Sequence, residues 1–298
     1  MNPRERGFLL LTSHLGNSDR KVLTVPQLRT LAERMRNAPP PDRDRELEPG
    51  DLVYLGYSLD MARRIVDLLE EQELLEHYLA RGKRRGCIPI TWVSQEYPAV
   101  LRSRLGDDAP GCLWALGDLS LLEGPKISLV GSRDMYPENL EFAREAGRQA
   151  ALQGNTLVSG NARGADTAAQ ESCLAAGGRV VSIVADNLGE IQPRQNVLYL
   201  SELDFDEGFS SQRALSRNRC IHALGGKTLV AQSSLHKGGT WDGTVKNLRF
   251  GWSPVFCFDD GSEASMLLQE MGASGISGEN LENLNSLTPN QDNFLDRL

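Results

Sequence analysis

The sequence has no CxxC pair, no G-x-G-x-x-G and no apolar run approaching a membrane span. Its five cysteines, Cys87, Cys112, Cys173, Cys220 and Cys257, lie far apart. Such an odd, scattered set reads as the reduced thiols of a cytoplasmic protein, with neither a disulfide framework nor a zinc site. The longest apolar run near the N-terminus is Phe8-Leu9-Leu10-Leu11. That is far short of the ~18 residues of a membrane helix, and too short for a signal peptide. Histidines number only four and are dispersed, so no metal-ligand set is visible and neither a metal nor another cofactor is expected.

What is present is an ordinary globular composition with 40% hydrophobic residues and a net charge of −8 over 298 residues. A charge of that sign opposes nucleic-acid binding only if it is evenly spread. Residues 1–125 carry 17 basic and 19 acidic residues, residues 126–258 carry 14 and 13, and residues 259–298 carry 1 and 8. The acidity is therefore a property of the last segment, and the middle is balanced.

The chain divides into three parts. Residues 1–82 read as a small helical domain, because apolar residues recur at helical spacing in Leu28, Leu31 and Met35 and again from Leu59 to Leu79. Thr24 before Val25-Pro26 marks a helix start. The proline-rich stretch from Ala38 to Gly50 is expected to be an exposed loop. The cluster Arg81-Gly82-Lys83-Arg84-Arg85-Gly86 marks a boundary, either as a solvated linker or as a contact for a phosphate backbone. Over 83–272, short β-branched runs alternate with helix-length segments. Strands are expected at Ile127–Val130, Thr156–Ser159, Arg179–Val184, Val197–Ser201, Lys227–Ala231 and Pro254–Phe258. Helices are expected at Glu138–Leu152, Asp166–Ala176, Ser211–Leu224 and Thr240–Arg249. This alternation predicts an α/β fold with a mostly parallel sheet, whose ligand site lies at the carboxyl ends of the strands. Residues 273–298 are expected to be an acidic, flexible tail.

Three turns follow strands and open helices. Val130-Gly131-Ser132-Arg133 combines a tight turn with a guanidinium suited to phosphate, or with an ordinary surface charge. Ser159-Gly160-Asn161-Ala162-Arg163-Gly164-Ala165-Asp166 forms a second anion-cradling turn, with Asp166 expected as the helix N-cap. Lys237-Gly238-Gly239-Thr240 forms a third, in which Lys237 is a phosphate contact or a solvated lysine and His236 a plain loop residue. On the helix before the third turn, Arg213, Arg217 and, one turn off, Asn218 are expected on one face near the site, Cys220 toward the core, and His222 as a surface or capping residue rather than a catalyst.

In order, Tyr97-Pro98-Ala99-Val100-Leu101, Ile127–Arg133, Ser159–Asp166 and Ser216-Arg217-Asn218-Arg219 resemble the motif set of the DNA-processing protein A family (DprA, also called Smf). The likeness covers roughly residues 85–260. It implies an extended Rossmann-like domain, preceded in many members by a small helical (SAM-like) domain. It also implies a non-enzymatic protein that binds single-stranded DNA as a homodimer and loads a RecA-type recombinase, in natural transformation or recombination. Residue by residue it nominates Arg133, with Gly131 and Ser132 shaping its turn, together with Ser159, Gly160, Arg163, Gly164, Arg217, Asn218, Lys237, Gly238, Gly239 and Thr240. The departures are Gln170 where the family has His, Gln232 where it has an acid, a lysine-bearing third turn, a short 186–196 segment, and an acidic tail in place of a winged helix.

Two other functions compete. Gly238–Thr244 is weakly similar to the phosphate turn of nucleotide phosphoribohydrolases, although Gly243 or Asn247 stands where their glutamate would be. A nucleic-acid sensor of a phage-defence system is the third reading.

Overall fold

The computed structural model describes residues 1–38 and 46–289. Its centre is a nine-stranded sheet in the order β1-β2-β6-β5-β4-β3-β7-β8-β9. All six expected strands form: β3 (Lys126–Val130), β4 (Thr156–Ser159), β5 (Arg179–Ile183), β6 (Val197–Ser201), β7 (Thr228–Val230) and β8 (Val255–Phe258). They are joined by β1 (Cys87–Thr91), β2 (Cys112–Leu116) and β9 (Ser274–Ile276), which the periodicity did not disclose. The run β6-β5-β4-β3-β7-β8-β9 is parallel, while β2 pairs antiparallel with both β1 and β6.

The central strands are apolar on both faces, as a sheet covered on two sides requires. In β3, Ile127 and Leu129 enter one core while Val130 enters the other. Helices α7 (Pro137–Leu152) and α8 (Ala165–Ala175) cover the first face, and α6 (Ala99–Leu105), α9 (Ser211–Leu224), α10 (Gly238–Phe250) and α11 (Glu263–Glu270) cover the second. Tyr97-Pro98 serves this packing: Pro98 caps α6, and buried Tyr97 donates its hydroxyl to Pro110 O at 2.6 Å.

The N-terminal region is helical, as expected, with α1 (Pro3–Thr12), α2 (Val25–Asn37), α3 (Pro49–Tyr54), α4 (Leu59–Glu70) and α5 (Gln72–Arg84). Thr24 caps α2 through a capping box. Leu31, Leu52, Ala62 and Ile65 share a core of their own, whereas Leu9, Leu10, Leu75 and Tyr78 belong to the core under the sheet. Most of the stretch expected as a loop over 38–50 lies outside the described residues, and Pro49-Gly50 already opens α3. The basic cluster is not a linker. Its first four residues are the last turn of α5, and Gly82 is buried against Trp114.

The expected tail differs over its described part, while residues 290–298 lie outside the described residues. Residues 274–276 are the edge strand β9, and a 3-10 segment, Glu279–Ser286, buries Leu281 and Leu284. An acidic composition was outvoted by three apolar side chains, Ile276, Leu281 and Leu284, which enter the core.

Candidate nucleic-acid interface

The chain runs β3, β4, β5, β6 in one direction across the sheet and returns to β7 on the far side of β3. Such a reversal leaves a crevice at the carboxyl ends of the strands. A cleft of about 420 Å³ opens there, lined by Arg133, Asn161, Ala162, Arg163, Ala185, Asp186, Phe209, Ala214 and Arg217.

Its floor depends on two turns resting on one another. A Cβ on Gly131 would lie 2.5 Å from the Ala165 Cβ. Gly164, at φ +89°, faces the carbonyls of Ser132 and Arg133 so closely that a Cβ would lie 2.5 Å from each. Ala165 N–H donates to Ser132 O at 3.3 Å. Only glycine permits this approach.

The departures from the family pattern have local roles. Gln232 accepts from Tyr136 N at 2.9 Å, donates to Asp134 O at 3.2 Å, and offers its own carbonyl to the N–H and hydroxyl of Ser132. It therefore stitches the first turn as a neutral tie. Gln170, buried in α8, donates to Gly160 O and to Ser182 Oγ, fixing the second turn from below.

Arg217 dominates the cleft. It is 6% exposed, with Nη2 3.8 Å from Asp166 Oδ2. Its Nε and Nη1 have no hydrogen-bond partner among the described residues. Burial pushes the Asp166 carboxyl up, and the Arg217 guanidinium opposes that shift. Burial likewise lowers Arg217, while Asp166 holds it charged. Above this pair, Arg133 is exposed on the rim. Arg163 forms a 2.5 Å ion pair with Asp134, both of them exposed. Such a surface pair contributes little, so Arg163 is readily exchanged onto another anion.

The structure gathers Arg133, Arg163 and Arg217 and leaves other nominated residues elsewhere. Ser159 and Gly160 are buried beneath the cleft rather than lining it. Asn218 turns the other way, donating to Gly239 O at 3.0 Å and tying α9 to α10. Lys237, Gly238, Gly239 and Thr240 do not line the cleft; Lys237 precedes α10 at the neighbouring strand end, and Gly238 begins the helix. The segment 238–244 is thus helix throughout, not a phosphate turn. Asp166 is not the N-cap of α8: Gly164 is, and Asp166 is the second helical residue, accepting from Ala162 N at 3.2 Å. His222 is fully buried rather than at the surface, and Cys220 is buried as expected. His236 is an exposed loop residue, at φ 56°.

Phe209 was missed by the sequence reading. It is 55% exposed at the mouth of the cleft. Its signal was an isolated aromatic between Gly208 and Ser210, just before the R-N-R helix.

A larger groove of about 1180 Å³ is lined partly by residues on the other side of α9. Its walls set Asp107, Asp108, Glu202, Glu207 and Asp242 against Arg213, Arg219 and Lys246, with Glu202 paired to Arg219 at 2.9 Å and Asp107 paired to Arg29.

Comparison with known proteins agrees with this architecture. Residues 89–246 match the family model described as DNA recombination-mediator protein A. The chain is 28% identical over 217 residues to the DNA processing protein DprA of Bacillus subtilis, covering 68% of this chain and 72% of that one. It is 30% identical over 145 residues to DprA of Streptococcus pneumoniae, covering 44% and 50%. The solved structure of the Streptococcus pneumoniae protein superposes with a TM-score of 0.70 at 24% identity, over 91% of this chain and 96% of that one. DNA processing protein A of Helicobacter pylori, whose structure was described for its single-stranded-DNA binding mode, gives 0.56 at 26% identity, over 66% and 94%. No helix among the described residues is long and apolar enough to cross a membrane. With the family model spanning more than half of the sequence and the ordered motifs meeting at one sheet edge, the chain belongs to the DNA recombination-mediator protein A family.

Proposed function

We propose that the cleft binds single-stranded DNA, with phosphates on Arg133, Arg163 and Arg217 and a base against Phe209. One observation carries this reading: Arg217 lines the cleft as a buried cation whose Nε and Nη1 donors have no partner among the described residues. Buried charged donors require acceptors, and phosphate oxygens suit the guanidinium fork. The exposed ring of Phe209 adds a stacking face that bases locked in a duplex cannot reach.

In this reading the protein is a cytoplasmic, non-enzymatic mediator. It acts as a homodimer, protects single strands and hands them to a RecA-type recombinase during DNA uptake or recombination. The helical part, residues 1–82, and the sheet domain beginning at 83 work as neighbouring units.

The test is a binding titration of oligo-dT against its duplex over a range of salt. Single-strand affinity should fall with salt by about 0.7 in log–log slope for each phosphate neutralised, and Arg133→Ala should remove about one such step. No single-strand binding at low salt would sink the proposal.

A further inference from the structure

We infer that the N-terminal helices hold the base-contacting wall of the cleft in place, with Tyr78, Arg81 and Asp206 as positioning residues for DNA binding; this rests on the reading of the cleft given above. The wall is the end of the segment joining β6 to α9, residues 202–210. Both halves of that segment are clamped, and Phe209 alone within it lines the cleft.

The first half is held by the N-terminal region. Ser13 Oγ donates to Asp204 Oδ1 at 2.6 Å. Asp206 accepts from the Tyr78 hydroxyl and forms an ion pair with Arg81. The Phe205 ring, 1% exposed, lies 4.9 Å from those of both Tyr78 and Trp114. The Arg81 guanidinium covers Tyr78 and Phe205 at 5.0 and 5.5 Å. Gly16, at φ +76°, closes over the pair so tightly that a Cβ would lie 2.7 Å from Arg81 Nη2. Three stretches distant in sequence therefore converge on residues 204–206. Burial and the nearby carboxylates both push the Tyr78 hydroxyl up, so it stays a donor.

The second half is held by Arg213, which donates to Glu207 O, Gly208 O and Ser201 Oγ. Arg213 lies one helical turn before Arg217 on α9. Phe209 is three residues from Asp206, at most about 10 Å along an extended chain. Neither Tyr78, Arg81 nor Asp206 lines the cleft, so their influence on a bound strand passes through the position of Phe209.

Binding of the full chain to oligo-dT and to an abasic oligonucleotide of equal length, each across a range of salt, tests this. An abasic strand keeps the phosphates and lacks the stacking partners. Asp206→Ala should weaken oligo-dT binding about tenfold, leave the salt slope unchanged and leave abasic binding unchanged. Arg81→Ala should do the same and Arg81→Lys should recover most of the loss. Adding Asp206→Ala to Phe209→Ala should weaken binding no further than Phe209→Ala alone, because both act on one contact. If Asp206→Ala does not fold, Tyr78→Phe carries the comparison. Wild-type affinity for both strands in the variants overturns the inference, and so does equal loss on both strands with a shallower salt slope. If Arg133→Ala and Phe209→Ala are themselves without effect, the reading of the cleft fails instead.

Discussion

Arg217 lies over Gly160 at a distance that no other residue in its place would allow: a Cβ on Gly160 would stand 1.9 Å from Arg217 Nη1 and 2.3 Å from Asp166 Oδ2. The glycine of the second turn is thus a seat for the buried ion pair rather than a contact for the ligand. Gly160→Ala should cost about 1–3 kcal/mol of stability through overpacking and should weaken single-strand binding by displacing Arg217. Denaturant unfolding and a binding titration on the same preparation measure both effects.

Arg217 and Arg133 should separate stability from binding. Arg217→Ala leaves the Asp166 carboxylate buried without its cation, and removing one partner of a buried pair costs about 3–5 kcal/mol. Asp166→Asn in that background should restore part of the loss, because no charge is then stranded. Arg133 is exposed, so Arg133→Ala should stay within about 0.5 kcal/mol of wild type while lowering DNA affinity. Equal stability of the Arg133 and Arg217 variants would contradict the assignment.

His222 makes stability depend on pH. Burial pushes its imidazole down to about 3 from 6.5. Asn247 Nδ2 lies 3.1 Å from His222 Nδ1 and donates to it. Between those values the unfolded chain holds a proton that the folded chain refuses. The His222 contribution is therefore complete above pH 6.5 and is lost as pH falls toward 3, with a slope approaching about 1.4 kcal/mol per pH unit. Asp166 and Asp204, raised by burial, act in the opposite sense as their own range is approached. Unfolding free energies from pH 7 to 5 should decline in wild type and be flatter in His222→Gln.

The thiols should be inert. Burial pushes Cys87, Cys173 and Cys257 up to about 11 and raises Cys112 and Cys220 well above the ordinary thiol value. Little thiolate exists near neutrality, so a thiol reagent should label the native protein slowly and all five sites together on unfolding. A rapid single-site reaction would show that one of these environments is open.

Removing residues 273–298 should unfold part of the sheet rather than release a mobile tail. Ile276, Leu281 and Leu284 are 6%, 0% and 0% exposed. Losing these three side chains costs on the order of 5 kcal/mol, before the pairing of β9 is counted. A truncated chain that melts like wild type and binds DNA more tightly would reverse this view.

Much of the fold was legible because local patterns agree with it. Strand candidates such as Thr156–Ser159 and Val197–Ser201 coincide with β4 and β6, since strands buried on both faces read as short apolar or β-branched runs bounded by turn residues. Thr24 announced α2 through its cap. The edge elements were not legible: β1 carries Pro89, and β9 is only three residues long with Gly275 at its centre. Arg133 and Arg163 were found because a guanidinium after a strand-ending glycine turn is a local signal. Asn218 and His222 were misplaced because a helix spacing tells which residues share a face, not what packs against it.

By itself, the sequence determined the alternation of strands and helices, the glycine turns after β3 and β4 and the motif order that marks the family, each signal written within a few residues. Only the tertiary structure decided that Arg217 lines the cleft as a buried cation with unpartnered donors, that Phe209 stands at its mouth, and that Tyr78 and Arg81 reach Asp206 across more than a hundred residues of chain. Those relations depend on which distant surfaces meet when the apolar faces are buried, and the sheet order that brings them together is settled by packing and not by any local pattern.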